Sequence, residues 1–325
     1  MRFSLSAMQD QGNEDRGNGG QMKTANEWLE HCAEQMIRND LFFGHGTDNA
    51  HDEAAWMLLH VLGAPTDGSF DQWGRFLDEN ESMALERLLG KRIDERTPLA
   101  YLTGEARFCG LDFFVTSDVL IPRSPLAELI PERFSPWLTI RPGGRVLDMC
   151  TGGACIAIAM SMHMPELCVD AVDISSAALK IAQLNVDRHQ VNDRVKLVQS
   201  NLFDAIQDRK YDLIVSNPPY VSEDIFQRLP AEYMAEPSGG LVCGEDGLDI
   251  VLKILDASPK HLAENGILIV EVGESAAALV NLLPLVPFLW LEFQNGGDGI
   301  FLLEYDQLIA CQADVREVLE QRKNV

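Results

Sequence analysis

The segment Asn217-Pro218-Pro219-Tyr220 follows an apolar run, Leu213 to Ser216, that reads as a buried strand. An asparagine, two residues without a backbone N–H and a tyrosine are poor material for a core but suited to holding a flat amino group. The Asn217 side-chain oxygen and the Pro218 carbonyl can accept both hydrogens of a planar NH2. That pair of acceptors draws the nitrogen toward tetrahedral geometry and offsets the positive charge that develops when it attacks an electrophilic methyl group. Such a transfer is an in-line displacement, so the main task is to hold nitrogen and methyl carbon about 3 Å apart. Pro218 and Pro219 fix φ at about −65° and remove competing donors, which keeps the carbonyl aimed. Tyr220 can cover the flat face of an amide or a base. Taken alone, paired prolines need do no more than end a strand; acidic strand ends upstream give this pair a partner.

The partner begins at the turn "LDMCTGGACIA". Gly152 and Gly153 let a ligand approach the backbone, and the helix that follows offers free N–H groups at its positive end. A dinucleotide would call for G-x-G-x-x-G, which the register Gly152-Gly153-Ala154-Cys155 does not match. Asp148, at the end of the strand before the turn, would also repel a pyrophosphate. S-adenosylmethionine carries a sulfonium and an ammonium and no phosphate, so a carboxylate favours it. Asp173, ending "AVD", is placed to accept both ribose hydroxyls, and Asn201 in "QSNLF" to meet an adenine amine. The residues therefore favour S-adenosylmethionine over a dinucleotide.

From Arg145 onward strands and helices alternate. The runs "RVLDM", "CVDAVD", "RVKLVQ", "YDLIVSN", "GILIVEVG", "FLWLEFQ" and "GIFLLEY" predict seven strands, the early ones continuously apolar as in a parallel sheet covered on both faces. The pattern predicts an α/β, doubly wound sheet with an antiparallel edge. A long helix is expected over "DGLDIVLKILDASPKHLAEN". Upstream, residues 24–105 carry apolar positions at helical spacing, first behind a Thr/Asn cap and then behind a polar turn with an Asp/Glu-rich first turn, and read as a helical domain. Residues 106–121, alternating and broken at Cys109-Gly110, read as a β-hairpin linker; residues 122–310 form the α/β domain and 311–325 a C-terminal helix. Residues 1–23 are polar and expected to be a disordered tail without a secretory signal.

Bulk properties narrow the setting. Seven scattered cysteines, with no CxxC pair, fit free thiols in a reducing cytoplasm better than disulfides or a zinc site. His45, His51 and His60 are expected in capping or turn roles, and no metal site is expected. No run of about 18 apolar residues predicts a membrane span. The net charge is −24 and the basic stretches "RKY" and "GKRIDER" are short, so direct sequence-specific binding to nucleic acid is not expected. The acidity serves either solubility alone or a basic partner.

With those residues in view, the sequence from about residue 24 to 310 resembles the HemK-type protein-(glutamine-N5) methyltransferases. The resemblance is carried by "PLAYLTGEARFCGLDFFVTSDVLIPR", "LDMCTGGACIAIA", "SNPPYV", "EPSGGLVCGEDGLDI" and "EVG". It implies a Rossmann-like class I methyltransferase domain behind a helical substrate-recognition domain. It also implies that Asn217 and Pro218 hold a glutamine amide. The cofactor residues it implies are Cys150, Thr151, Gly152, Gly153, Ala154 and Asp173, with Arg123 of "LIPR" beside them. Cys150 and Ala154 stand where the family commonly has glycine, and Asn201 where aspartate is frequent. The stretches "IPRSPLAELI" and "FFGHGTDNAHDEA" resemble the branch that methylates ribosomal large-subunit protein 3 (uL3), a basic protein that an acidic enzyme would attract. The alternatives are the same chemistry on a peptide-chain release factor, methylation of an adenine or guanine amino group, and a non-catalytic adaptor.

Overall fold

The computed structural model describes residues 22–139 and 141–323; apart from Met22 and Lys23, the expected tail lies outside the described residues. The chain divides into two units, one ending at Gly104 and the other beginning at Glu105.

The first unit is helical because its apolar stripes are each started by a side-chain cap. Thr24 and Glu27 form a capping box on α1 (Ala25–Arg38). Asn49 caps α2 (Ala50–Leu62), which ends on a left-handed Gly63. Asp78 and Glu81 form a second capping box on α3 (Glu79–Asp94), and α4 spans Leu99–Thr103. Trp28, Leu29, Met36, Leu58 and Leu85 pack into its core. Beside that core Arg92, 1% exposed, donates to Glu53 at 2.6 Å and to the Phe42 carbonyl at 2.7 Å. Thr47 donates to the same carboxylate at 3.0 Å, so the α1–α2 loop is tied to an ion pair that cannot be broken cheaply. His45 lies buried in this loop with its ring edge-on to Phe42, and His51 sits 3.2 Å from the Glu30 carboxylate.

The second unit opens with a hairpin shorter than the expected 106–121: β1 (Glu105–Phe108) and β2 (Leu111–Phe114) turn at Cys109 and Gly110, both left-handed, and residues 115–121 leave the pair. The alternating part follows: β3 (Arg145–Met149), α5 (Cys155–His163), β4 (Cys168–Asp173), α6 (Ser176–Arg188), β5 (Val195–Gln199) and β6 (Tyr211–Ser216). Short α7 (Glu223–Phe226) and α8 (Ser238–Leu241) precede α9 (Asp249–His261), β7 (Leu262–Glu271), α10 (Ala276–Leu282), β8 (Leu289–Trp290), β9 (Ile300–Glu304) and α11 (Tyr305–Lys323). The sheet order is β5-β4-β3-β6-β7-β9-β8. Its first five strands are parallel, and β9 runs antiparallel to both β7 and β8. Both faces are covered: Val146, Ile158, Leu213 and Ile269 lie in one core, and Leu147, Ile214, Leu252 and Leu268 in the other. The chain reverses its winding between β3 and β6, the place where a doubly wound sheet opens a crevice.

Three further elements differ in extent from the sequence reading. Helix α9 starts after Gly247, whose φ of +78° interrupts the expected run, and gives way to β7 at Leu262. Strand β8 is two residues long because the N–H groups of Gln294 and Asn295 turn to Glu128, both at 2.9 Å, instead of a neighbouring strand. The C-terminal helix begins at Tyr305 rather than 311, because Leu308, Cys311 and Val315 bury against the second core.

Candidate active site

The tips of β3, β4, β6 and β7 surround a cavity of about 340 Å³. The register places Met149 of β3 beside Ser216 of β6, and the Ser216 hydroxyl donates to the Met149 carbonyl at 2.7 Å. The next residues, Cys150 and Asn217, therefore leave the sheet on adjacent strands, which run about 4.8 Å apart. The glycine turn and the N-P-P-Y segment are neighbours for that reason. Of the residues singled out from the sequence, Arg123, Cys150, Thr151, Gly152, Gly153, Asp173, Asn201 and Asn217 through Tyr220 all line the cavity. Asp148 and Ala154 do not.

Asp148 lies under the turn, with none of its surface exposed. One oxygen accepts the Thr151 hydroxyl at 2.5 Å and the Ala157 N–H at 3.1 Å; the other has no hydrogen-bond partner. Burial pushes its pKa up to about 7 against those two hydrogen bonds, with the nearby Asp173 charge adding to the rise. Its place is that of a brace for the turn, not of a group facing a sulfonium. Ala154 starts α5 with φ of +62°, and Cys150 and Gly152 are also left-handed, at +62° and +55°. The glycines common in the family's turn thus answer a backbone demand, and this chain meets it twice with a side chain.

Asp173 takes the Gly152 N–H on one oxygen and the Ser175 N–H on the other, each at 2.8 Å. Burial raises its pKa and these N–H groups oppose the rise. A carboxylate has about four acceptor sites, so Asp173 keeps capacity for hydroxyls in the cavity. Arg123, the only cation lining that space among the described residues, is used elsewhere: its guanidinium grips Glu236 through two bonds of 2.6 Å and donates to the Ile121 carbonyl at 3.0 Å. Burial opposes its charge, and the Glu236 pairing outweighs burial, so the group is held firmly protonated. A cavity edged by Asp118, Asp173 and Glu271 with its one arginine neutralised suits a sulfonium and ribose hydroxyls and repels phosphate. Gly152 presents bare backbone there, with nothing within 4 Å of its missing Cβ. S-adenosylmethionine fits these residues.

Tyr220 is fixed from several sides. Its hydroxyl donates to Glu271 at 2.8 Å, and Ser124 donates to the other oxygen of that carboxylate at 2.5 Å. Burial, with the neighbouring Glu271 charge second, drives the phenol far above its ordinary range, so it stays a donor. Ser275 donates to the Tyr220 carbonyl at 2.8 Å, and a Cβ on Gly273 would stand 2.6 Å from the ring. Glu271, Ser124 and Ser275 were not singled out from the sequence. Glu271 ends the apolar run "ILIVE", the same acid-at-strand-end signal that marks Asp148 and Asp173. No local pattern marks the two serines. A further unflagged residue, Asn185 of α6, is fully buried and donates to the carbonyls of Gly153, at 3.0 Å, and Phe114, at 3.1 Å. It accepts the Phe114 N–H at 2.7 Å, fastening the hairpin to the cofactor turn.

Sheet order, crevice and cavity chemistry together make this unit a class I methyltransferase with S-adenosylmethionine as its methyl donor. Residues 130–236 match the Methyltransferase small domain, and residues 39–104 match the PrmC N-terminal domain. A Xanthomonas campestris protein described as a ribosomal protein uL3 glutamine methyltransferase is 50% identical over 87% of this chain and 91% of its own length. A Francisella tularensis protein of the same description is 41% identical over 89% of this chain and 92% of its own. A solved methyltransferase from Pyrococcus furiosus aligns with 60% of this chain and 89% of its own at 19% identity and a TM-score of 0.44, a likeness too distant to bear on function. The chain belongs to the HemK-type family of glutamine methyltransferases.

Proposed function

We propose that this enzyme methylates the side-chain amide nitrogen of a glutamine in uL3, in the cytoplasm, and that the helical domain recognises the protein substrate. The observation that carries the chemistry is the Met149–Ser216 pairing, which sets the cofactor turn and Asn217 side by side. When bound, S-adenosylmethionine supplies an electrophilic methyl group on a sulfonium. The Asn217 side-chain oxygen accepts one N–H of the glutamine amide and the Pro218 carbonyl the other, which withdraws the nitrogen lone pair from conjugation. The Tyr220 ring, held by Glu271 and Gly273, covers the amide plane, and Asp173 holds the ribose hydroxyls. The choice of uL3 rests on the activity for which the two relatives are named and on the net charge of −24, which would draw a basic substrate and disfavour nucleic acid.

The test is incubation with labelled S-adenosylmethionine and, separately, purified uL3 and a purified release factor. Label is expected on a glutamine of uL3, and Asn217→Ala is expected to cut turnover about a hundredfold, as loss of one transition-state hydrogen bond does elsewhere. Label on the release factor alone overturns the substrate; nuclease-sensitive label on copurifying nucleic acid overturns the protein amide.

A further inference from the structure

We propose that Arg322, in the last turn of α11, is a positioning residue for methyl transfer, acting on Tyr220 through the loop that carries Gly247. The inference rests on reading Asn217 through Tyr220 as the amide-holding segment. Just beyond that segment the chain is zipped to the segment before α9. Val221 donates to the Leu241 carbonyl at 2.8 Å, Cys243 to the Val221 carbonyl at 2.9 Å, and Glu223 to the Gly244 carbonyl at 3.2 Å. The loop then passes so close to Tyr220 that a Cβ on Gly247 would lie 2.0 Å from the Tyr220 carbonyl oxygen. The single Ser275 hydroxyl lies 2.8 Å from that carbonyl and 2.9 Å from the Asp246 carbonyl, so the two segments of chain share one donor. With so little slack, Tyr220 has to follow any movement of residues 244–249.

The position of that loop depends on charge. Asp246 projects from it and Asp249 from the first turn of α9 just beyond, and the Asp249 carboxylate would touch a Cβ on Gly244 at 2.6 Å. Two neighbouring carboxylates repel unless a cation lies between them. Arg322 is that cation: its guanidinium pairs with Asp246 through both nitrogens and with Asp249 at 2.8 Å. The planar fork suits this two-carboxylate site in a way that a lysine ammonium reproduces only in part. Elsewhere on the same helix Arg316 pairs with Asp256 of α9 at 2.8 Å, away from the loop. That pair offers an internal control, since it also ties α11 to α9 without touching the Tyr220 loop.

Arg322→Gln is expected to lower kcat about tenfold while leaving the dissociation constant of S-adenosylmethionine unchanged, because a displacement well under 1 Å at the amide carries a cost of this order. Arg322→Lys is expected to recover part of the loss, and Arg316→Gln to leave kcat unchanged. Hydrogen exchange reads the same link without substrate: the Val221 and Cys243 amides are expected to exchange faster in Arg322→Gln and not in Arg316→Gln. Equal kcat for Arg322→Gln and wild type, or equal losses in the two glutamine variants, overturns the proposal. If uL3 is not the substrate, kcat is silent for every variant and the exchange comparison alone decides; unchanged protection at Val221 and Cys243 in Arg322→Gln overturns it.

Discussion

Gly273→Ala adds one methyl group, and the structure says where it goes. Its Cβ would stand 2.6 Å from Cε2, 3.0 Å from Cζ and 3.2 Å from Cδ2 of Tyr220. Carbon atoms in contact sit about 3.5–4.0 Å apart, so the ring has to retreat by about 1 Å. That retreat pulls the hydroxyl off Glu271, now 2.8 Å away, and leaves the buried carboxylate short of one donor, at a cost of about 1–3 kcal/mol. The residue has φ of +45°, so a side chain adds about 1–2 kcal/mol of left-handed strain. A loss of about 2–5 kcal/mol in unfolding free energy follows, measured by urea titration. Turnover on uL3 is expected to fall about a hundredfold, since misplacement of a substrate-positioning group by 1 Å carries roughly that penalty. Affinity for S-adenosylmethionine, measured by calorimetry, is expected to stay level. Gly143→Ala separates strain from collision: Gly143 is also left-handed, at +80°, but nothing lies within 4 Å of its missing Cβ. It should lose stability and keep its activity. Turnover of Gly273→Ala within about threefold of wild type, or an equal loss in Gly143→Ala, would refute a placed tyrosine ring.

Ala154→Gly relieves left-handed strain at the start of α5, against the extra backbone freedom of the unfolded glycine, and is expected to raise stability by about 0.5 kcal/mol in chemical denaturation; a fall would mean that the turn is unstrained. Asp148 carries a pH signature. Its folded pKa of about 7 exceeds the unfolded value of 3.8, so the folded state binds more protons between those values and stability falls as pH rises through that window. The full effect is up to roughly 4 kcal/mol, already complete above pH 7 and absent below pH 4. Asp148→Asn abolishes it, so the variant should gain on wild type from pH 4 to 7, whatever its offset; parallel stability curves would count against the buried carboxylate.

The parallel strands, the glycine turn and the N-P-P-Y tip were all legible because each is a local pattern: an apolar run, a missing Cβ, a missing N–H. Asp148 shows where that reading fails. A carboxylate at a strand end looks the same in sequence whether it faces the cavity, as Asp173 does, or supports the turn from beneath. Only the Thr151 and Ala157 donors decide. Arg123 was legible as a cavity residue but not as a neutralised one, since Glu236 lies 113 positions away along the chain. Ser124 and Glu271 are 147 positions apart, and nothing in either segment announces the other. The short β8 was hidden in the same way, because the carboxylate that diverts its N–H groups belongs to Glu128.

Asn185 carries a consequence for the order in which the unit is built. The hairpin strands have four residues each, too little to persist in water unaided. Their anchor is an amide 71 positions further on, which reaches the hairpin edge and the carbonyl of Gly153 with one side chain. During synthesis the nascent hairpin therefore lacks this amide until α6 has emerged and packed, and until then rests only on the burial of Phe108 and Phe113 in the first core. One side chain of α6 thus ties the edge of the hairpin to the glycine turn, so a variant that loses this amide loosens both at once.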